Sequence, residues 1–131
     1  MIVLDASMVI ALLDGDDAHH AAATRVLADA GAVDLGISPI TLAEILVGPT
    51  RDGRADQARA LLDALDLKSI PWGPDTPARL AALRVASKLK LPDCCVVLAA
   101  EEAGFGTIAT FDAQLARVAV ERGLAVLDGG A

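Results

Sequence analysis

Short, wholly apolar runs alternate along the chain with longer stretches in which apolar residues recur every three or four positions. That alternation predicts strands joined by helices. Ile2-Val3-Leu4 is a β-branched run cut off by Asp5, and helical spacing starts at once in ASMVIALLDG. Asp17 to Ala30 predicts an alanine-rich amphipathic helix closed by Gly31, and Asp34 to Ser38 predicts a second strand. Pro39 opens a helix that contains Glu44 and is expected to stop at Gly48-Pro49. RDGRADQARALLDALD predicts a further helix, Leu67 to Ile70 a third strand, and Thr76 to Leu91 a helix broken by Pro92. Asp93 is expected to cap the next helix, through Ala103, and Thr107 to Thr110 to form a fourth strand. Asp112 then heads a last helix to Gly123, before a fifth strand at Leu124 to Leu127.

Five short apolar strands separated mostly by helices imply an α/β fold: a parallel sheet flanked by helices on both faces. With 131 residues and no repeat, linker or low-complexity tract, one compact domain over 1–131 is expected. Aromatic residues make up 2% of a chain that is 54% hydrophobic, so Ala, Leu, Val and Ile must build the core. That composition suits helices on a buried sheet better than an aromatic-rich β-sandwich. In parallel sheets ligands bind beyond the carboxyl ends of the strands, and Asp5 and Asp112 both fall just past predicted strand ends.

Two further acids, Glu44 and Asp93, also sit where an apolar element begins or bends. Carboxylates gathered together repel unless a hard divalent cation lies among them, and oxygen-only ligands select Mg²⁺ or Mn²⁺. Asp is equally a favoured helix N-cap, so Asp5, Asp93 and Asp112 each have a structural reading. The two are compatible, because a helix N-terminus keeps a carboxylate ionised. Glu44 has no cap to explain it, and a charge in an apolar helix is costly if buried and unpaired, although a helix edge exposed to water would also account for it. Ser7 and Thr110 each lie two residues from one of these acids, close enough for a hydroxyl to hydrogen-bond a ligating carboxylate.

Net charge of −7 speaks against a nucleic-acid partner, since affinity for phosphates comes from Lys and Arg. Acid concentrated at a metal site would remove the objection, and two basic stretches remain: Arg51, Arg54 and Arg59, then Arg79, Arg84, Lys88 and Lys90. Cys94 and Cys95 are adjacent, which suits neither a disulfide nor a zinc site, so both are expected to be reduced and buried. His19 and His20, as helix neighbours, would point roughly 100° apart and are poor partners for a shared metal. No apolar run approaches the about 20 residues that span a bilayer, and no basic leader precedes Asp5, so a cytoplasmic protein is expected.

LDAS at the amino end, TLAE, LPD before CCVVLAA, and TFDAQLARVAVERGLAVL at the carboxyl end together resemble a PIN-domain ribonuclease, and more narrowly a VapC toxin of a bacterial toxin–antitoxin pair. The resemblance spans essentially the whole chain. It implies that Asp5, Glu44, Asp93 and Asp112 form an acidic quartet, with Asp5, Asp93 and Asp112 as ligands of Mg²⁺ or Mn²⁺ and Ser7 and Thr110 as small polar helpers. Cys94 departs from the alanine common in relatives.

The same resemblance implies an endoribonuclease that hydrolyses RNA, with tRNA or ribosomal RNA as target, through a metal-activated water that Glu44 orients or deprotonates. A VapB-like antitoxin is the implied partner, its apolar segment lying between Val9–Leu13 and Leu42–Val47, and a homodimer is expected. Two other classes compete on the position of Asp5. A haloacid-dehalogenase-like phosphotransfer enzyme would want a second Asp where Ser7 stands. A receiver-like Mg-binding domain would want an acceptor Asp after the third strand, where Ile70-Pro71-Trp72 stands, and a late strand-end Lys.

Overall fold

A computed structural model describes residues 1–131. Strands β1 (Ile2–Leu4), β2 (Leu35–Ile37), β3 (Lys68–Ser69), β4 (Thr107–Ala109) and β5 (Ala125–Leu127) form one sheet in the order β3-β2-β1-β4-β5, every pair parallel. Seven helices connect them: α1 (Ala6–Leu13), α2 (His20–Ala30), α3 (Pro39–Arg51), α4 (Ala55–Ala64), α5 (Thr76–Ser87), α6 (Leu91–Glu102) and α7 (Ala113–Glu121). The strand order reverses at β1, which has β2 on one side and β4 on the other. A crevice therefore opens beyond the carboxyl ends of β1 and β4, the place where open parallel sheets take their ligands.

Successive strand residues face opposite sides, and the core divides accordingly. Val3 and Ile108 join a cluster with Leu83, Val97 and Leu115 from α5, α6 and α7. Ile2, Leu4 and Ala109 join Met8, Val26, Ile45 and Leu62 from α1 to α4 on the other side. Central β1 is buried throughout, and so is α6 from Cys94 to Ala100. Gly106 permits the close approach of β4 to β1: a Cβ there would come within 2.7 Å of the Met1 carbonyl oxygen.

Several local expectations are corrected. Gly48-Pro49 does not stop α3, which continues to Arg51. Gly48 lacks the Cβ that would clash with the proline ring, so it stays helical before Pro49. Thr76–Ser87 ends earlier than its pattern suggested, because Lys88 adopts a left-handed conformation (φ 62°). Pro92 then lies in the first turn of α6, where its missing N–H costs nothing, and Lys90 is the cap position in place of Asp93. The second helix also begins later than read, at His20, since residues 15 to 19 form turns and a bend.

Candidate active site

Asp5 follows β1 and is only 4% exposed. Its Oδ1 accepts from the Ser7 hydroxyl at 2.7 Å and the Met8 N–H at 2.9 Å, the second bond capping α1. Oδ2 accepts from the Thr110 hydroxyl at 2.5 Å. A carboxylate has about four acceptor positions, so these three bonds fix the group and leave one position on Oδ2.

The helpers are themselves held. Ser7 Oγ accepts from the Phe111 N–H at 3.1 Å, and Thr110 Oγ1 accepts from the Asp112 N–H at 3.0 Å. The ends of β1 and β4 are thereby stitched together through hydroxyls. Asp112 caps α7 by accepting from the Leu115 N–H at 3.0 Å through Oδ1, and its exposed side chain keeps Oδ2 outside that bond.

Asp93, half-buried in the first turn of α6, has its pKa pushed up to about 6. Desolvation is the largest cause, followed by the negative charges of Asp112, Asp5 and Glu44; Lys90 opposes them. Glu44 on α3 is raised for the same reasons, by desolvation and then by Asp5, with Lys90 again opposing. Asp5 is raised by burial against the pull of its three hydrogen bonds. The four acids predicted from sequence thus share one electrostatic neighbourhood at the carboxyl end of the sheet. Burial also pushes both free cysteine thiols up, which makes them inert core groups.

No three His, Cys, Asp or Glu side chains are close enough to clasp an ion by themselves. Asp5, Asp93 and Asp112 nonetheless supply hard oxygens from three elements, and Asp5 Oδ2 keeps one open position, a donor chemistry of the kind Mg²⁺ or Mn²⁺ takes alongside bound waters.

Beside this cluster, a groove of about 600 Å³ runs between α1, α3 and α4, lined by Ile10, Leu13, Glu44, Ile45, Pro49 and Leu61 among others. Glu44 belongs to both. On the opposite flank His19 stacks on Phe111, ring centroids 4.3 Å apart and planes 11° from parallel, while His20 Nδ1 lies 2.7 Å from the Ala11 carbonyl oxygen. Sequence reasoning set both histidines aside as metal ligands and missed the stack, whose partners are separated by most of the chain. Of the basic residues, Arg79 is committed to Glu102, and to Asp75 at 3.9 Å, whereas Lys90 faces the acidic cluster.

Residues 2–121 match the PIN domain family. The chain belongs to that family. Among solved structures, this PIN domain is similar to a toxin–antitoxin complex from Klebsiella pneumoniae, at 28% identity and a TM-score of 0.66 over 86% of this chain and 87% of that one. FitAcB from Neisseria gonorrhoeae superposes with a TM-score of 0.72 at 20% identity over 99% of both chains. VapBC2 from Rickettsia felis, bound to a DNA fragment from its promoter, gives 0.73 at 18% identity over 96% and 97%. The latter two share the fold. A search of curated proteins finds no match to this PIN domain.

Proposed function

We propose that this PIN domain is the toxin of a VapBC-type pair, an Mg²⁺- or Mn²⁺-dependent endoribonuclease. PIN domains are in general nucleases that use divalent ions, and the observation that carries the reading is the buried, thrice-bonded Asp5 surrounded by three further carboxylates at the switch point of the sheet. Asp5 and Asp93 would be the principal ligands of the ion, and Asp112 would complete its shell or hold one of its waters. Bound there, it would offset phosphate charge and lower the pKa of a water. Ser7 and Thr110 keep the Asp5 carboxylate in one orientation. Glu44, solvent-facing and with a raised pKa, is suited to orient a water and take its proton, and Lys90 to meet a substrate phosphate. Water as nucleophile leaves 5′-phosphate and 3′-hydroxyl ends on RNA, with tRNA or ribosomal RNA as the proposed target.

The groove between α1, α3 and α4 is the proposed seat of an apolar helix from the antitoxin, which would place an Arg or Lys against the acidic cluster. Two copies would pair through other helical surface. No helix is long and apolar enough to cross a membrane, and the reading places the protein in the cytoplasm. Co-expression with a neighbouring small gene tests the pair: a tight complex that is silent, and an isolated toxin that cuts RNA with Mg²⁺ and stops in EDTA, are expected. A tight complex with full activity would remove the antitoxin reading and leave the nuclease.

A further inference from the structure

We propose that the cleft beside Asp112 is a nucleobase subsite that selects bases carrying an amino group on their pairing edge, guanine, adenine or cytosine, over uracil; this rests on the ribonuclease reading above. The cleft measures about 360 Å³, within the range of small-ligand clefts, and is lined by His19, Phe111, Asp112, Ala116, Val126 and Asp128 among others. Asp112 belongs both to it and to the acidic cluster, so a nucleotide whose phosphate lies at the cluster has its base within reach.

Three features give the cleft its chemistry. A flat platform is already assembled: Phe111 packs partly into the core, and His19, exposed and lining the cleft, stacks on it at 4.3 Å, an aromatic pair of the kind a base stacks against. Both members are fixed from the backbone, Phe111 N–H to Ser7 Oγ at 3.1 Å and His19 N–H to Asp17 Oδ1 at 2.8 Å, so the platform costs little to order. Apart from His19 and Thr110 the polar lining is acidic and lacks Lys or Arg, which disfavours a phosphate and favours a group with hydrogen-bond donors. Asp128 Oδ1 accepts from the Gly130 N–H at 2.9 Å, and that bond orients the carboxylate while leaving Oδ2 to accept from an amino group. Uracil presents there a single N–H flanked by two carbonyls, so a carboxylate that accepts from the N–H also faces carbonyl oxygen on both sides, which an amino group at the end of the edge avoids.

The test is a panel of single-stranded RNAs with each base around the cleavage site varied in turn, cut by wild type, His19→Ala, His19→Phe and Asp128→Asn in Mg²⁺. Circular dichroism and melting confirm that each variant folds; both positions are exposed. Wild type is expected to disfavour uracil at one position by roughly tenfold. Asp128→Asn and His19→Ala should each reduce that preference to near unity while cleavage continues, and His19→Phe should restore it by keeping the stack. Preference unchanged in both variants, or no preference at any position in wild type, overturns the subsite and leaves the ribonuclease standing. Absence of RNA cleavage by folded wild type overturns both. If the variants instead weaken only inhibition by the antitoxin, the cleft serves the protein partner and the base assignment is wrong.

Discussion

Asp93 shows how one side chain can set both pH response and stability. In the folded, metal-free chain it titrates near 6, against 3.8 ordinarily, so the native state holds this proton more tightly than the unfolded state does. Stability from this group is therefore complete below 3.8 and falls as pH rises through about 6. Asp93→Asn should stabilise metal-free protein at pH 8 by roughly 1–2 kcal/mol after allowance for solvent screening, and should abolish cleavage and the rise in melting temperature that Mg²⁺ gives wild type. A folded Asp93→Asn variant that still cuts RNA at the wild-type rate would show the quartet to be misassigned. Because Asp93 must lose its proton to hold a cation, cleavage at limiting Mg²⁺ should decline below about pH 6, and excess Mg²⁺ should move that midpoint lower. These acids were legible in the sequence because a charge at the edge of an apolar element needs a reason. The three bonds on Asp5 were only half legible: Ser7 is a neighbour in sequence, but the Thr110 bond crosses 105 positions and exists only because β1 and β4 are paired.

Among the elements, two of the proposed ion ligands, Asp5 and Asp112, are also helix N-caps. Substitution can separate them. Asp112→Ser keeps an N-cap acceptor and should melt near wild type, whereas Asp112→Ala should lose about 1 kcal/mol; both should cut RNA poorly. Equal stability losses in the two variants would mean the carboxylate contributes more than a cap. On the far side of α6, Glu101 receives Arg122 at 2.9 and 3.1 Å and ties α6 to the end of α7. Glu101→Gln should cost on the order of 1 kcal/mol without changing cleavage, since the pair is only partly exposed and lies away from the acidic cluster. Activity lost in a folded Glu101→Gln variant would contradict that separation. Element type was readable from periodicity, while ends were not: Pro49 reads as a stop but sits in the last turn of α3, and Lys88 takes a left-handed cap without any glycine signal. At Pro49 the missing Cβ of Gly48 lets the helix run on, and at Lys88 a non-glycine residue takes the left-handed turn.

For the whole molecule, the parallel α/β architecture was readable from five apolar runs spaced by helices, and the family match agrees with it. Strand order was not, because β1 looks the same in sequence whether it lies at an edge or at the centre. That order decides the site: it brings Asp5, Thr110 and Asp112 together on adjacent strand ends and leaves α3 and α6 to bring Glu44 and Asp93. A chain of net charge −7 repels a polyanion as a whole, and a cation held in the cluster would reverse the sign locally, so on the proposed function RNA binding as well as cleavage should weaken when the ion is removed. Hydrolysis of RNA by water at a site that depends on a divalent ion leaves its signature on the product ends. The decisive measurement is the mapping of the ends of RNA cut by isolated wild type, with Mg²⁺ and again in EDTA. Expected are 5′-phosphate and 3′-hydroxyl ends with Mg²⁺ and intact RNA in EDTA; cleavage that persists in EDTA, or products ending in a 2′,3′-cyclic phosphate, would overturn the mechanism.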